Sequence, residues 1–159
     1  MKTRFAGLLA SLLAVLILAG CSSQTVVRES AGETVHTALF DFAVSDISVV
    51  DNYNILVPTE GNKLVQMTLS VTNTGDEACT MFAEDFQLQW GDGDEDFGVC
   101  LAAVTDEMVP YSYTLEPGES YAGVMVVMVP EDAGTLTVAY QETLASGEDG
   151  TAYFVEASL

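Results

Sequence analysis

Between Leu64 and Asn73 apolar and polar residues alternate without a break. Val65, Met67, Leu69 and Val71 fall on one side, and Gln66, Thr68, Ser70 and Thr72 on the other. A two-residue period is that of a strand with one buried face. The same alternation opens at Phe40, Phe42 and Val44, with Asp41, Ala43 and Ser45 between, then slips by one residue to Ile47 and Val49. A slip without a turn signal predicts a bulge, or a strand passing from one sheet to another. Phe86, Leu88 and Trp90 alternate with Gln87 and Gln89, which puts Trp90 in the core. Phe97, Val99 and Leu101 resume a face after a short acidic stretch, with Cys100 turned the other way, and predict a strand over 97–104. Tyr111, Tyr113 and Leu115 make a short strand before "EPGES", whose Pro and Gly mark a turn over residues 116–120.

Residues 121–129, "YAGVMVVMV", are apolar in both phases. Such a run predicts a central strand covered on both faces, with Met125 and Met128 packing on opposite sides and Pro130 ending it. Leu136, Val138 and Tyr140 alternate again, "ASGEDG" (145–150) is a hairpin loop, and residues 151–157 form a last strand. No segment sustains a 3.6-residue period. Eight or so short strands separated by turn signals predict an all-β protein, an antiparallel β-sandwich of about 7–8 strands.

The N-terminus follows a different pattern. Lys2 and Arg4 precede an apolar stretch from Phe5 to Ala19, which closes with Leu18-Ala19-Gly20-Cys21. The stretch has the length and flanks of a signal peptide rather than a membrane span. Its end resembles the lipobox of bacterial lipoproteins. That resemblance implies cleavage after residue 20 and a diacylglycerol on Cys21, a stable attachment that does not span the bilayer. Residues 21–34 then read as the lipidated Cys and a flexible tether, polar and without a period. Fully extended, the 13 residues from Ser22 to Thr34 reach roughly 45 Å. Residues 35–159 are enough for one domain with its own core.

Charge narrows the partners. Beyond Cys21 only Arg28 and Lys63 oppose 24 acidic residues, a formal charge of −22 with His36 neutral. Such a surface repels nucleic acid, so that class of partner is set aside. The remaining cysteines, Cys79 and Cys100, are an even pair 21 residues apart in an exported chain, where they either form a disulfide or stay reduced. Neither belongs to a C-x-x-C motif, so redox catalysis has no support.

Three stretches carry a family resemblance. "MTLSVTNTGDE" (67–77) is a strand ending in Asn-Thr before a turn. "FQLQWGDGDEDFG" (86–98) is a strand, an acidic Gly turn, then an aromatic opening the next strand. "LEPGESYAGVMVVMVPED" (115–132) is Pro-Gly-Glu, an apolar strand and a closing Pro. In this order they resemble the telokin-like lipoprotein domains grouped as domain of unknown function 4352. The resemblance spans residue 37 to about 140. It implies an immunoglobulin-like sandwich at the cell surface, and it brings no catalytic residues.

The acidic stretch offers the clearest candidate chemistry. Asp92, Asp94 and Asp96 alternate as EF-hand ligands do, but position 6 of that loop falls on Phe97 instead of Gly and position 12 on Ala103 instead of Glu. An EF-hand is excluded. A calcium or other cation loop built on Asp92, Asp94 and Asp96 remains as an alternative to a plain hairpin turn, in which Gly91 and Gly93 would supply positive φ. The single histidine, His36, stands at the edge of the domain with no Ser-His-Asp arrangement around it. Carboxylate neighbours such as Glu84-Asp85, Glu131-Asp132 and Glu116 with Glu119 are expected in so acidic a chain. The reading is therefore a non-enzymatic lipoprotein without a cofactor. Its lipid holds it on the extracytoplasmic face of the cell membrane, and its sandwich binds a protein or an envelope component. Tyr53 and Tyr111, near loops, are the candidate contacts.

Overall fold

The alternation over 64–73 becomes a strand whose inward residues Val65, Met67, Leu69 and Val71 are all at most 1% exposed in a computed structural model, which describes residues 24–93 and 95–159. Each such side chain withdraws enough apolar area from water to contribute ~1.5–3 kcal/mol. In chain order the strands are β1 (Val26–Ser30), β2 (Thr34–His36), β3 (Phe40–Val50), β4 (Asn62–Asn73), β5 (Cys79–Phe82), β6 (Phe86–Gln89), β7 (Phe97–Gly98), β8 (Ser112–Leu115), β9 (Ser120–Pro130), β10 (Thr135–Thr143) and β11 (Asp149–Ser158). A 3-10 turn at Ala83–Asp85 is the sole helical element among the described residues.

Two sheets form the sandwich. One runs β1-β11-β10-β6-β7 and the other β2-β3-β4-β9, with a small third sheet of β5 and β8. The core lies between them: Phe40, Phe42, Met67, Leu69 and Met125 from one side meet Phe86, Leu88, Leu136, Val138 and Val155 from the other. The count exceeds the expected 7–8 because β1, β2, β5 and β7 are only two to five residues long. Elements that short do not show a period in sequence.

The slip after Val44 is a bulge. The β3–β4 register shifts between Ser45 and Ser48, and Asp46 takes a φ of 52°. A left-handed residue is a common way to insert one extra position into a strand. Beyond it Ile47 packs on the core while Val49 is left 48% exposed.

Three expectations are overturned. First, the flexible tether does not extend through residue 34. Residues 26–30 pair in parallel with 152–156 as β1, and Thr34–His36 pair with β3, so the ordered domain starts before residue 35. The parallel pairing also makes the sandwich not wholly antiparallel. Second, the strand over 97–104 ends at Gly98. The chain then leaves the sheet, and Leu101 donates its amide to Val126 of β9 at 2.7 Å. Third, β9 is not central: it pairs with β4 alone in its sheet. Its other edge is covered by the 101–109 segment, through Val109 N–H to Val124 O and Val124 N–H to Glu107 O. That segment explains the two apolar phases. Met125, Val127 and Val129 face the sandwich core, while Val126, Val124 and Met128 face a second small core with Leu64, Met108 and Leu101. Met125 and Met128 thus pack on opposite faces, as the sequence predicts.

Candidate functional site

The β5–β8 sheet presents the most distinctive surface. Its inward face carries Met81, Tyr113 and Leu115; its outward face carries Thr80, Phe82, Ser112 and Thr114. Thr80 and Thr114 hydroxyls meet at 3.0 Å across the pair, and Ala83 continues the ladder by donating to Tyr111 O at 3.1 Å. This register brings the Phe82 and Tyr111 rings together, edge to face, with centroids 5.8 Å apart at 74°. Tyr111 is 69% exposed and Phe82 39%. Beside them lies a shallow cleft of about 150 Å³ lined by Ala83, Glu84, Cys100, Ala102, Ala103 and Tyr111. Two rings already paired, with few rotatable bonds and a small-residue cleft alongside, form a rigid, exposed amphipathic patch.

Of the two tyrosines singled out by sequence, only Tyr111 belongs here. Tyr53 is half-buried over the second small core, its hydroxyl 3.5 Å from Thr105. Phe82 carries no sequence signal of its own. Its outward phase is defined only once β5 pairs with β8.

The acidic stretch is a hairpin turn between β6 and β7. Trp90 N–H donates to Asp96 O at 2.9 Å, and Asp96 N–H to Gly93 O at 3.0 Å. The Asp96 carboxylate folds back to accept the Gly93 N–H at 2.8 Å. It thereby occupies the space where a Cβ at Gly91 or Gly93 would fall, 2.4 and 2.8 Å from its Oδ2. The glycines are therefore there for close approach, not for the positive φ expected of them; neither adopts it. Asp92 is exposed, and Asp94 lies outside the described residues. No group of three or more His, Cys, Asp or Glu is placed to hold a metal among the described residues.

Cys79 and Cys100 carry free thiols. Cys100 lines the cleft beside Ala83 and Glu84, whereas Cys79 sits at the far end of β5. Burial pushes both thiols up, and at Cys100 the Glu84 charge adds to it. Both are therefore protonated and poorly nucleophilic at neutral pH. Cys21 and residues 1–20, which the sequence reading takes as a signal peptide, lie outside the described residues.

His36 ends β2, exposed, its Nδ1 2.9 Å from Asp41 Oδ1. The paired acids serve turns: Glu119 accepts from Glu116 N–H at 2.9 Å, and Asp85 from Phe82 N–H at 2.7 Å. Glu142 is the most engaged carboxylate. It accepts from Ala38 N–H at 2.9 Å, the Tyr153 hydroxyl at 2.9 Å and Thr151 N–H at 3.3 Å, tying the β2–β3 loop to the β10–β11 hairpin. Partial burial raises its pKa, but those donors outweigh it and hold the carboxyl below the ordinary range. A carboxyl depressed in the folded state lends stability above its unfolded pKa and loses it as the pH falls through the folded one. Glu142→Gln should accordingly melt below the wild type at pH 7, and the gap should close as the pH falls below ~4.3. Melting curves across pH 3–7 check this; a gap independent of pH would contradict the charge-assisted bonding.

The family model described as a domain of unknown function (DUF4352) matches residues 30–150. Among solved structures, the chain is similar to the yjhA protein from Bacillus subtilis, at 17% identity over 80% of this chain and 98% of that one, with a TM-score of 0.63. It is similar to ycdA of Bacillus subtilis subsp. subtilis str. 168, described as a candidate lipoprotein, at 15% identity over 82% of this chain and 39% of that one, with a TM-score of 0.64. A secreted protein from Mycobacterium tuberculosis, MPT63, matches at 17% identity over 83% and 98% with a TM-score of 0.58. No curated protein matches the chain. At such identities the likeness carries the β-sandwich fold alone.

Proposed function

The chain belongs to the DUF4352 family, and from that footing we propose that it is a non-enzymatic lipoprotein, anchored through Cys21 on the outer side of the cell membrane, whose sandwich binds a protein or envelope component through the Phe82–Tyr111 face. The exposed aromatic pair carries this reading. Aromatic anchors supply large contact area at low entropic cost and account for much of the energy at protein interfaces. The similarity to a candidate lipoprotein and to a secreted protein fits an extracytoplasmic setting. The thiols are protonated, the His36–Asp41 pair stands exposed at the domain edge and the paired carboxylates close turns, which fits a binding role better than a catalytic one.

The test is affinity capture from an envelope extract, with wild type, a tether-only control and the double variant Phe82→Ala/Tyr111→Ala. Truncating two interface aromatics should lower specific capture by roughly tenfold or more. Melting should barely change, since an exposed substitution costs within ~0.5 kcal/mol. Capture no greater than the tether-only control, or unaltered by the double variant, would reject the proposal.

A further inference from the structure

Fully extended, the stretch from Ser22 to Thr34 would reach roughly 45 Å. The structure removes most of that reach. From Val26 onward the chain is a strand in register with β11, Val26 opposite Ala152 through Ser30 opposite Glu156. Thr25 already takes part, its carbonyl accepting from Ala152 N–H at 2.9 Å. The Gln24 side chain donates to Gln141 Oε1 at 2.6 Å. Further along, Arg28 pairs with Glu156 and lies 4.8 Å over the Phe154 ring, while Val27 packs against the core. Only three residue steps separate Gln24 from Cys21, at most ~11 Å of chain.

We infer that β1 fixes the orientation of the domain on its own bilayer, with the end formed by Gln24 and the β10–β11 hairpin facing the lipid headgroups. This rests on the lipidation of Cys21 proposed above. Gln24 and Thr25 share one open pocket with Leu144, Glu148, Asp149 and Gly150, so the chain leaves the domain beside the hairpin tip. Leu39 and Leu144, 58% and 48% exposed, stand at this end, whose loops Glu142 ties together. The opposite end lies a full β11 away, ten residues or ~33 Å. There Leu159 N–H bonds to Gly134 O, beside the 131–134 turn that follows β9.

The tie, not attraction, sets this geometry. Glu148 and Asp149 repel anionic headgroups, and that repulsion is screened over ~8 Å, so a thin aqueous gap separates the hairpin from the lipid. A tether paired along its length turns a lipoprotein from a swivelling module into one with a fixed near end and far end.

The experiment uses the full lipidated chain in vesicles of phosphatidylethanolamine and phosphatidylglycerol. A fluorophore is introduced through a non-natural amino acid at Ser146 or at Asp132, both exposed. Energy transfer to a headgroup-labelled acceptor lipid is then compared. With a donor–acceptor pair whose half-transfer distance is about 30 Å, separations of ~10 Å against ~40 Å predict transfer at Ser146 on the order of fivefold above that at Asp132. Val27→Pro, which interrupts β1, should shrink that ratio toward one. Equal transfer in the wild type, or an undiminished ratio in Val27→Pro, would overturn the inference. The lipidation reading fails separately: the purified wild-type chain would then carry no diacylglycerol mass on a Cys21 N-terminus.

Discussion

Replacing Phe42 by alanine should destabilise the domain by about 3–5 kcal/mol, the range for large aromatic truncations in a closed core. Phe42 is 1% exposed and stands where the sheets meet. Its ring lies 5.3 Å from Phe86, 6.1 Å from Phe40 and 6.2 Å from Tyr140, all tilted or edge to face. On its own sheet it is opposite Val35 on one side and Val71 on the other. The cavity left by its removal is walled by β-branched residues and rings held from both sheets, so it cannot collapse without moving a strand. Against a total of ~5–15 kcal/mol such a loss is a large fraction. The melting temperature should fall by about 10–20 °C. Thermal unfolding followed by circular dichroism measures it, with Phe82→Ala as the exposed comparison expected to melt close to wild type. A Phe42→Ala loss under 1 kcal/mol would mean the two sheets do not share this core.

Phe42 is also a residue whose place the sequence makes plain. Its phase is set by Phe40 and Val44, a clean two-residue period that holds over the five positions before the bulge at Asp46 shifts it. The same holds for β4, whose Val65, Met67, Leu69 and Val71 could face only one way. β1 was illegible for the opposite reason. Its burial alternates only between exposed and half-buried, because an edge strand covers little beneath it. Arg28, Glu29 and Ser30 therefore read as tether, and no local signal encodes a parallel pairing with residues more than 120 positions away. β9 shows a subtler failure. Its double apolar phase reflects burial on both faces, but not a central place in the sheet: the cover on one face is an irregular segment, 101–109, whose own pattern does not announce it.

The candidate surface fared similarly. Tyr111 was visible as an aromatic near a loop; its partner Phe82 was not, since their meeting depends on the β5–β8 register. Spacing alone groups Asp96 with Asp92 and Asp94. Its carboxylate turns inward to the Gly93 amide, a local bond that spacing cannot distinguish from an outward ligand.

Asn73, whose sequence context marks only the end of a strand, should prove the most sensitive polar residue. It is the one buried polar side chain among the described residues, at 1% exposure. Its amide nitrogen donates to Glu77 O at 2.8 Å and to Leu115 O at 2.9 Å, while its Oδ1 accepts from Gly75 N–H at 2.9 Å. Its backbone adds bonds to Glu119 O and from Gly118 N–H, each 2.9 Å. One side chain thus joins the turn after β4 to the start of the β8–β9 turn. Asn73→Ala leaves two carbonyls and an amide without their partner, at about 1–3 kcal/mol per buried group left unpaired. A total loss of about 3–5 kcal/mol is expected, since some groups regain water. Asn73→Asp should be worse at neutral pH despite its identical shape: a carboxylate cannot donate, and it would face two carbonyl oxygens. That environment favours the protonated acid, which raises the folded pKa above the unfolded value near 3.9. A group so raised contributes stability in full below its unfolded pKa and loses it as the pH rises through the folded one. The stability difference between Asn73→Asp and wild type should therefore shrink on acidification toward pH 4, while that of Asn73→Ala should not. Paired denaturant titrations at pH 4 and pH 7 decide the matter. Parallel pH behaviour of the two variants would show that the two donated bonds are not what Asn73 provides.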